Sequence, residues 1–136
     1  MFEYVYRHRV RYRECDPMGL VYHTHYIDYF EASRTEALRA MGLAYKDLEA
    51  SGVIMPVVDL AVHYRRPARY DDLLEITSRI AEVPSSRVRI DYEVRRAGEP
   101  AVLVTGHVTL CFVDAARNRP IRAPEPVAQV FARALG

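Results

Sequence analysis

The stretch Glu14-Cys15-Asp16-Pro17-Met18-Gly19-Leu20-Val21-Tyr22-His23, with the run from Thr24 to Met41 behind it, decides how this chain folds. Before it the sequence alternates with a period of two. Within it, Pro17 and Gly19 stop that alternation and open a loop with unusual backbone needs. After it the period becomes helical: from about Thr24 to Met41, Ile27, Phe30, Ala37, Leu38 and Met41 recur on one side, and Gly42 stands where a left-handed C-cap belongs. Tyr26 and Tyr29 widen the apolar side, which predicts a helix enclosed by structure on several sides.

Upstream, Tyr4, Tyr6, His8, Val10 and Tyr12 share one face and Arg7, Arg9, Arg11 and Arg13 the other, the mark of a half-buried strand. Downstream, the sequence predicts a short helix around Tyr45 to Ala50, closed by Gly52. Everything from Pro56 to Asp114 reads as sheet. Val58, Leu60, Val62 and Tyr64 alternate with Asp59, Ala61, His63 and Arg65; Leu74, Ile76, Ser78 and Ile80 alternate with Glu75, Thr77, Arg79 and Ala81; Val88, Ile90, Tyr92 and Val94 follow the same rule. The run Ala101 to Val113 is apolar on both faces, as a central strand or one at a subunit interface is. Turn signals at Pro67-Ala68, Pro84-Ser85-Ser86 and Ala97-Gly98-Glu99-Pro100 predict antiparallel hairpins, and Pro126 to Leu135 a last helix. The expected class is α+β: one antiparallel sheet wrapped around one long helix, with another subunit covering what a single sheet leaves open.

At 136 residues the chain reads as a single domain over 1–136, with 50% hydrophobic and 27% charged residues, a globular balance. No apolar run approaches the ~18 residues of a membrane span, and Met1-Phe2-Glu3-Tyr4 lacks the layout of a secretory signal. The two cysteines, Cys15 and Cys111, are too few for a zinc cluster or a disulfide framework, so the expected setting is cytoplasmic. A net charge of +1 provides no general attraction to nucleic acid or membrane. Lys46 is the one lysine among 19 basic residues, amides are scarce and there are eight prolines. That composition suits high temperature, and GC-rich codon usage produces the same arginine bias.

Several chemistries drop out. No serine has the flanking glycines of a nucleophile elbow, and the six glycines stand singly, without a phosphate-binding loop. His23-x-His25 is too small a set for zinc, which takes three or four ligands, so no metal is expected. Cys15 lies beside carboxylates, which raise a thiol pKa and blunt it as a nucleophile. The arginine stripe faces away from the tyrosines, so they form no joint nucleic-acid platform. What remains is Asp16: a carboxylate at the end of a strand, with a tight loop returning the chain to the first turn of a buried helix. Free N–H groups at such a terminus carry partial positive charge and suit an oxygen that becomes negative during acyl transfer. A facing aspartate attacks a carbonyl or activates water. The bland reading, in which Asp-Pro simply starts a turn, stands beside it.

The pattern D-P-x-G-x-V-Y-H-x-x-Y-x-x-Y-F-E-x-x-R-T-E from Asp16 to Glu36 resembles the hotdog-fold acyl-CoA thioesterases, specifically the 4-hydroxybenzoyl-CoA thioesterase-like family and its bacterial Tol–Pal-associated branch. Tyr64 to Asp72, Ser85-Ser86-Arg87 and Cys111 to Asp114 are similar to that branch as well, so the likeness covers nearly the whole chain. The resemblance implies a hotdog fold, homodimers or homotetramers with active sites at the interface, an acyl-CoA substrate and no cofactor. It implies Asp16 as nucleophile or general base, the His23 N–H as donor to the thioester carbonyl, and Gly19 as the residue that lets the loop pass close to substrate. It places coenzyme A along Tyr64, Arg65, Ser86 and Arg87 of the partner subunit. Glu31 is expected to pair with Arg34 at i+3. A hotdog hydratase or dehydratase and a non-catalytic acyl-CoA-binding module are the rival readings; the acyl group, and whether its donor is coenzyme A or a carrier protein, are open.

Overall fold

The computed structural model describes all residues, 1–136. In chain order they form β1 (Phe2–Arg9), a 3-10 turn (Tyr12–Glu14), α1 (His25–Met41), α2 (Tyr45–Ala50), β2 (Val53–Ile54), β3 (Val57–Tyr64), β4 (Leu73–Ile80), β5 (Arg87–Arg96), β6 (Val102–Asp114), β7 (Arg119–Ile121) and α3 (Glu125–Leu135). The main sheet is antiparallel in the order β1-β4-β5-β6-β3, and β2 and β7 flank the last residues of β6. It curves around α1 without closing: the hotdog arrangement. No helix is long and apolar enough to cross a membrane.

Alternation determines which strand faces α1. Tyr4, Tyr6 and His8 of β1 turn inward, Arg7 and Arg9 outward, and Leu74, Ile76, Ser78 and Ile80 of β4 are all buried. The Phe30 ring lies stacked on Tyr92 at 4.3 Å. Burial pushes the Tyr92 phenol up to about 12, against the pull of the Arg34 guanidinium. Ser33, the one polar residue on the buried helix stripe, bonds to the Ser78 hydroxyl at 2.6 Å and to the Ile76 carbonyl at 3.1 Å, so no polar group is stranded. Gly106 of β6 makes this packing possible. A Cβ there would lie 2.6 Å from both the Ala61 carbonyl oxygen and the Phe30 ring.

The structure corrects four local expectations. β1 stops at Arg9, and Tyr12 and Arg13 belong to the 3-10 turn, with Tyr12 80% exposed. Ile27 is exposed; the buried stripe of α1 is Tyr26, Tyr29, Phe30, Ser33, Ala37 and Leu38. Pro67-Ala68 is no hairpin turn, because β3 pairs with β6 while β4 pairs with β1 and β5; the chain crosses the sheet there. Arg34 reaches the Tyr92 hydroxyl at 3.4 Å instead of Glu31. The helix end holds as expected, with Gly42 at φ 104°.

Candidate active site

Asp16 sits in a loop closed by its own backbone. Cys15 and Val21 form a β-bridge, the Asp16 N–H donates to the Leu20 carbonyl at 2.8 Å, and the Gly19 N–H donates to the Asp16 carbonyl at 2.9 Å. Gly19 adopts φ +80°, which an L side chain takes only with strain. The loop also fixes the carboxylate: Oδ1 accepts the N–H of Met18 at 2.9 Å and of Leu20 at 3.1 Å. Oδ2 has no partner within the chain.

Beyond Val21, whose N–H donates to the Ala68 carbonyl, the Tyr22 N–H donates to the Glu14 carbonyl at 2.9 Å. The N–H groups of His23 and Thr24 donate to nothing in the chain, and α1 begins at His25. They are the open donors at the positive end of the longest helix. The Tyr64 hydroxyl donates to the His23 carbonyl at 2.8 Å, which holds this peptide in place. Burial raises the Tyr64 phenol, so it remains a neutral donor. Asp16 and His23 line one cleft of about 350 Å³, together with Tyr22, Tyr26, Tyr64, Arg65 and Arg66.

Two clamps position the walls. Glu14 Oε1 accepts the Arg11 N–H at 2.9 Å and the Tyr29 hydroxyl at 3.0 Å, and lies 2.8 Å from His8 Nε2, tying the 3-10 turn, α1 and β1 together. Burial pushes the Glu14 carboxyl up, but these partners outweigh it and hold the group below its ordinary value. On the far wall, Asp72 Oδ2 binds Arg96 Nε at 2.8 Å and accepts the Arg69 N–H at 2.8 Å, while Arg96 also donates to the Pro67 carbonyl. Asp71 beside it is held at φ +70°.

The structure thus gathers Asp16, His23, Tyr64 and Arg65 of one chain in one cleft, whereas the resemblance sets Tyr64 and Arg65 on the partner subunit's side of the site. Gly19 lines the opposite side of the loop, with Tyr12 and Tyr70. Ser86 and Arg87 stand at the head of β5, away from this cleft in the same chain; Arg87 lines a separate depression with Ser85 and Asp91. Burial, then Glu14, Asp16 and Asp72, raise the Cys15 thiol, as the neighbouring carboxylates suggested. His25 Nδ1 lies 2.9 Å from Asp28 Oδ2, so it is engaged on its own helix. Sequence reasoning missed the Glu14 clamp, whose only signal was an acid two residues ahead of Asp16, and missed Arg66 as a lining residue.

An open amide, a half-held carboxylate and two arginines thus share one cleft on a hotdog frame. Residues 10–131 match the family model of the thioesterase-like superfamily. The chain belongs to that superfamily. It is 32% identical over 123 residues to the acyl-CoA thioester hydrolase YbgC of Escherichia coli, covering 90% of this chain and 91% of that protein. It is 31% identical over 124 residues to the acyl-CoA thioesterase YbgC of Haemophilus influenzae, covering 90% of each. Among solved structures, a hypothetical protein from Thermus thermophilus superposes with a TM-score of 0.88 at 36% identity, over 97% of both chains. The DHNA-CoA thioesterase of Staphylococcus aureus superposes at 0.91 with 26% identity, covering 98% of this chain and 91% of that one.

Proposed function

We propose that this protein hydrolyses an acyl-CoA to the free acid and coenzyme A, in a cytoplasmic homodimer or homotetramer. One observation carries the reading: Asp16, whose Oδ2 has no partner within the chain, lines the same cleft as His23, whose amide is open at the start of α1. The thioester carbonyl oxygen takes the His23 N–H, whose fixed dipole meets the negative charge that forms on it. Asp16 Oδ2 then either adds to the carbonyl carbon or takes a proton from the water that adds. In the first course the C–S bond breaks, coenzyme A leaves as thiolate, and water cleaves the mixed anhydride. In the second the hydroxyl stays on the acyl carbon and the thiolate collects the proton. Either course uses only this chain's residues and water. Arg65 supplies positive charge beside Tyr64, and by the family resemblance Ser86 and Arg87 reach coenzyme A from the partner subunit.

The test is release of free thiol on mixing the protein with acyl-CoA esters of increasing chain length and with benzoyl-CoA. Stoichiometric appearance of thiol and acid is expected. Binding without release identifies an acyl-CoA-binding module instead, and loss of the crotonyl-CoA enoyl absorbance without thiol identifies a hydratase; either result overturns the reading.

A further inference from the structure

The open amide of His23 is only as well aimed as the two peptide planes that flank its Cα. The first plane, which carries the N–H, is held by backbone: the Tyr22 carbonyl accepts the His25 N–H at 3.0 Å. The second, which carries the His23 carbonyl, is held by a side chain. No backbone N–H donates to that carbonyl, and its one partner within the chain is the Tyr64 hydroxyl at 2.8 Å. In a regular α-helix the N–H four residues on, that of Ile27, takes this place. Here the Ile27 N–H donates instead to the Thr24 carbonyl at 3.1 Å, three residues back.

The start of α1 therefore has two ways to wind. Thr24 already holds helical angles, φ −73° and ψ −23°, so its own backbone does not bar the Ile27 N–H from the His23 carbonyl. Tyr64 bars it by occupying that carbonyl. Winding the helix one residue further would turn the His23–Thr24 plane and re-aim the His23 amide with it. The phenol is suited to resist this because its base is anchored in the sheet. Tyr64 pairs with Val104 at the end of the β3–β6 ladder, and the N–H groups of Arg65 and Arg66 both donate to the Leu103 carbonyl, at 2.9 and 3.0 Å. The Tyr26 ring of α1 meets the Tyr64 ring edge-on at 5.6 Å, and the Tyr26 hydroxyl accepts the Ala68 N–H at 3.1 Å. A strut thus runs from the sheet to the residues ahead of the helix.

Resting on the hydrolase reading above, we infer that Tyr64 is a positioning residue for the oxyanion site: its hydroxyl keeps the His23 carbonyl out of the helix and so keeps the His23 amide aimed at the thioester oxygen. Tyr64 acts through His23 and exchanges no proton with the substrate. This differs from the role that the resemblance gives to Tyr64, a contact with coenzyme A from the partner subunit. The two roles fall on different kinetic parameters. A misaimed donor weakens the transition state, where the oxygen carries charge, more than the bound ester, so it lowers kcat. A lost contact with coenzyme A weakens substrate and transition state alike, so it raises KM.

Tyr64→Phe removes the hydroxyl and leaves the ring; the residue is 50% exposed, so the core is undisturbed. With the acyl-CoA that wild type turns over fastest, kcat is expected to fall about 3- to 10-fold, the range that one neutral hydrogen bond supplies, with KM within about twofold. Tyr64→Leu removes the ring as well. Its kcat is expected to fall at least as far, with a rise in KM from the lost cleft wall. Infrared difference spectra read the oxygen itself. With hexanoyl-CoA, ¹³C-labelled at the thioester carbonyl, bound to Asp16→Asn, the addition of Tyr64→Phe is expected to carry the carbonyl stretch back toward its frequency in water. An unchanged kcat in Tyr64→Phe, a rise in KM alone, or a carbonyl stretch that is the same with and without the hydroxyl overturns the inference. A wild type that releases no thiol from any acyl-CoA ester overturns the hydrolase reading and this inference with it, whereas an active wild type matched by Tyr64→Phe overturns only the role of Tyr64.

Discussion

Asp16→Asn is expected to lower kcat for the best acyl-CoA substrate by about 100- to 1000-fold or more while leaving KM within about threefold. The geometry explains why the loss falls on turnover. Oδ1 is an acceptor for the Met18 and Leu20 amides, and the asparagine oxygen takes over both bonds. The loop therefore keeps its shape, and Gly19 its φ of +80°. What changes is the group presented to the cleft: a neutral NH2, neither nucleophile nor base, replaces a carboxylate oxygen. Steady-state thiol release separates the two parameters. A variant with near-normal kcat contradicts the role given to Asp16, and one with a large rise in KM alone assigns the carboxylate to binding.

Gly106→Val is expected to cost about 3 kcal/mol, the upper end of what overpacking typically costs, against the 5–15 kcal/mol that typically holds a domain together. Two effects oppose one another. Valine suits a strand better than glycine, by up to about 1 kcal/mol. Against that, its Cβ falls 2.6 Å from the Ala61 carbonyl oxygen, a backbone atom fixed in the β3–β6 ladder, and 2.6 Å from the Phe30 ring, which is stacked on Tyr92. Neither neighbour moves without breaking sheet or core, so the clash outweighs the propensity. Urea unfolding followed by circular dichroism measures the difference. A midpoint within experimental error of wild type means that Phe30 repacks freely and that its stacking on Tyr92 at 4.3 Å does not fix the helix against the sheet.

The sequence makes the frame legible wherever one face is wet and the other dry. The period of two in Leu74 to Ile80 and the stop at Gly42 translate directly into β4 and the end of α1, because burial and a left-handed cap each have a residue signature. It fails where partners are distant in the chain. Pro67-Ala68 carries every local mark of a turn, but which strands it joins is settled by β6 lying between β5 and β3, a long-range pairing that no window of residues contains. Ile27 has helical spacing and still faces outward, since Tyr26, Tyr29, Phe30 and Ser33 already fill the side that meets the sheet.

The loop with Pro17 and Gly19 between Asp16 and the start of α1 is legible for a similar reason, and both Asp16 and His23 line the cleft; the choice of the His23 amide rests on the family resemblance rather than on spacing. The support for that pair is less legible. Glu14 works through His8, Tyr29 and the Arg11 amide, contacts that exist only once β1, α1 and the 3-10 turn have packed. Arg96 and Asp72, which hold the loop carrying Arg65 and Arg66, are 24 residues apart. Ser86 and Arg87 lie on a surface that one chain does not bring to its own cleft.

If a thioester carbonyl rests against the first amides of α1, its bond is polarised before any reaction occurs. Infrared difference spectroscopy of Asp16→Asn, loaded with hexanoyl-CoA carrying a ¹³C label at the thioester carbonyl, reads that polarisation directly while turnover is suppressed. A carbonyl stretch shifted to lower frequency than in water is expected on binding. A band at its solution frequency, with the ligand demonstrably bound, contradicts the helix-start oxyanion site and the mechanism built on it.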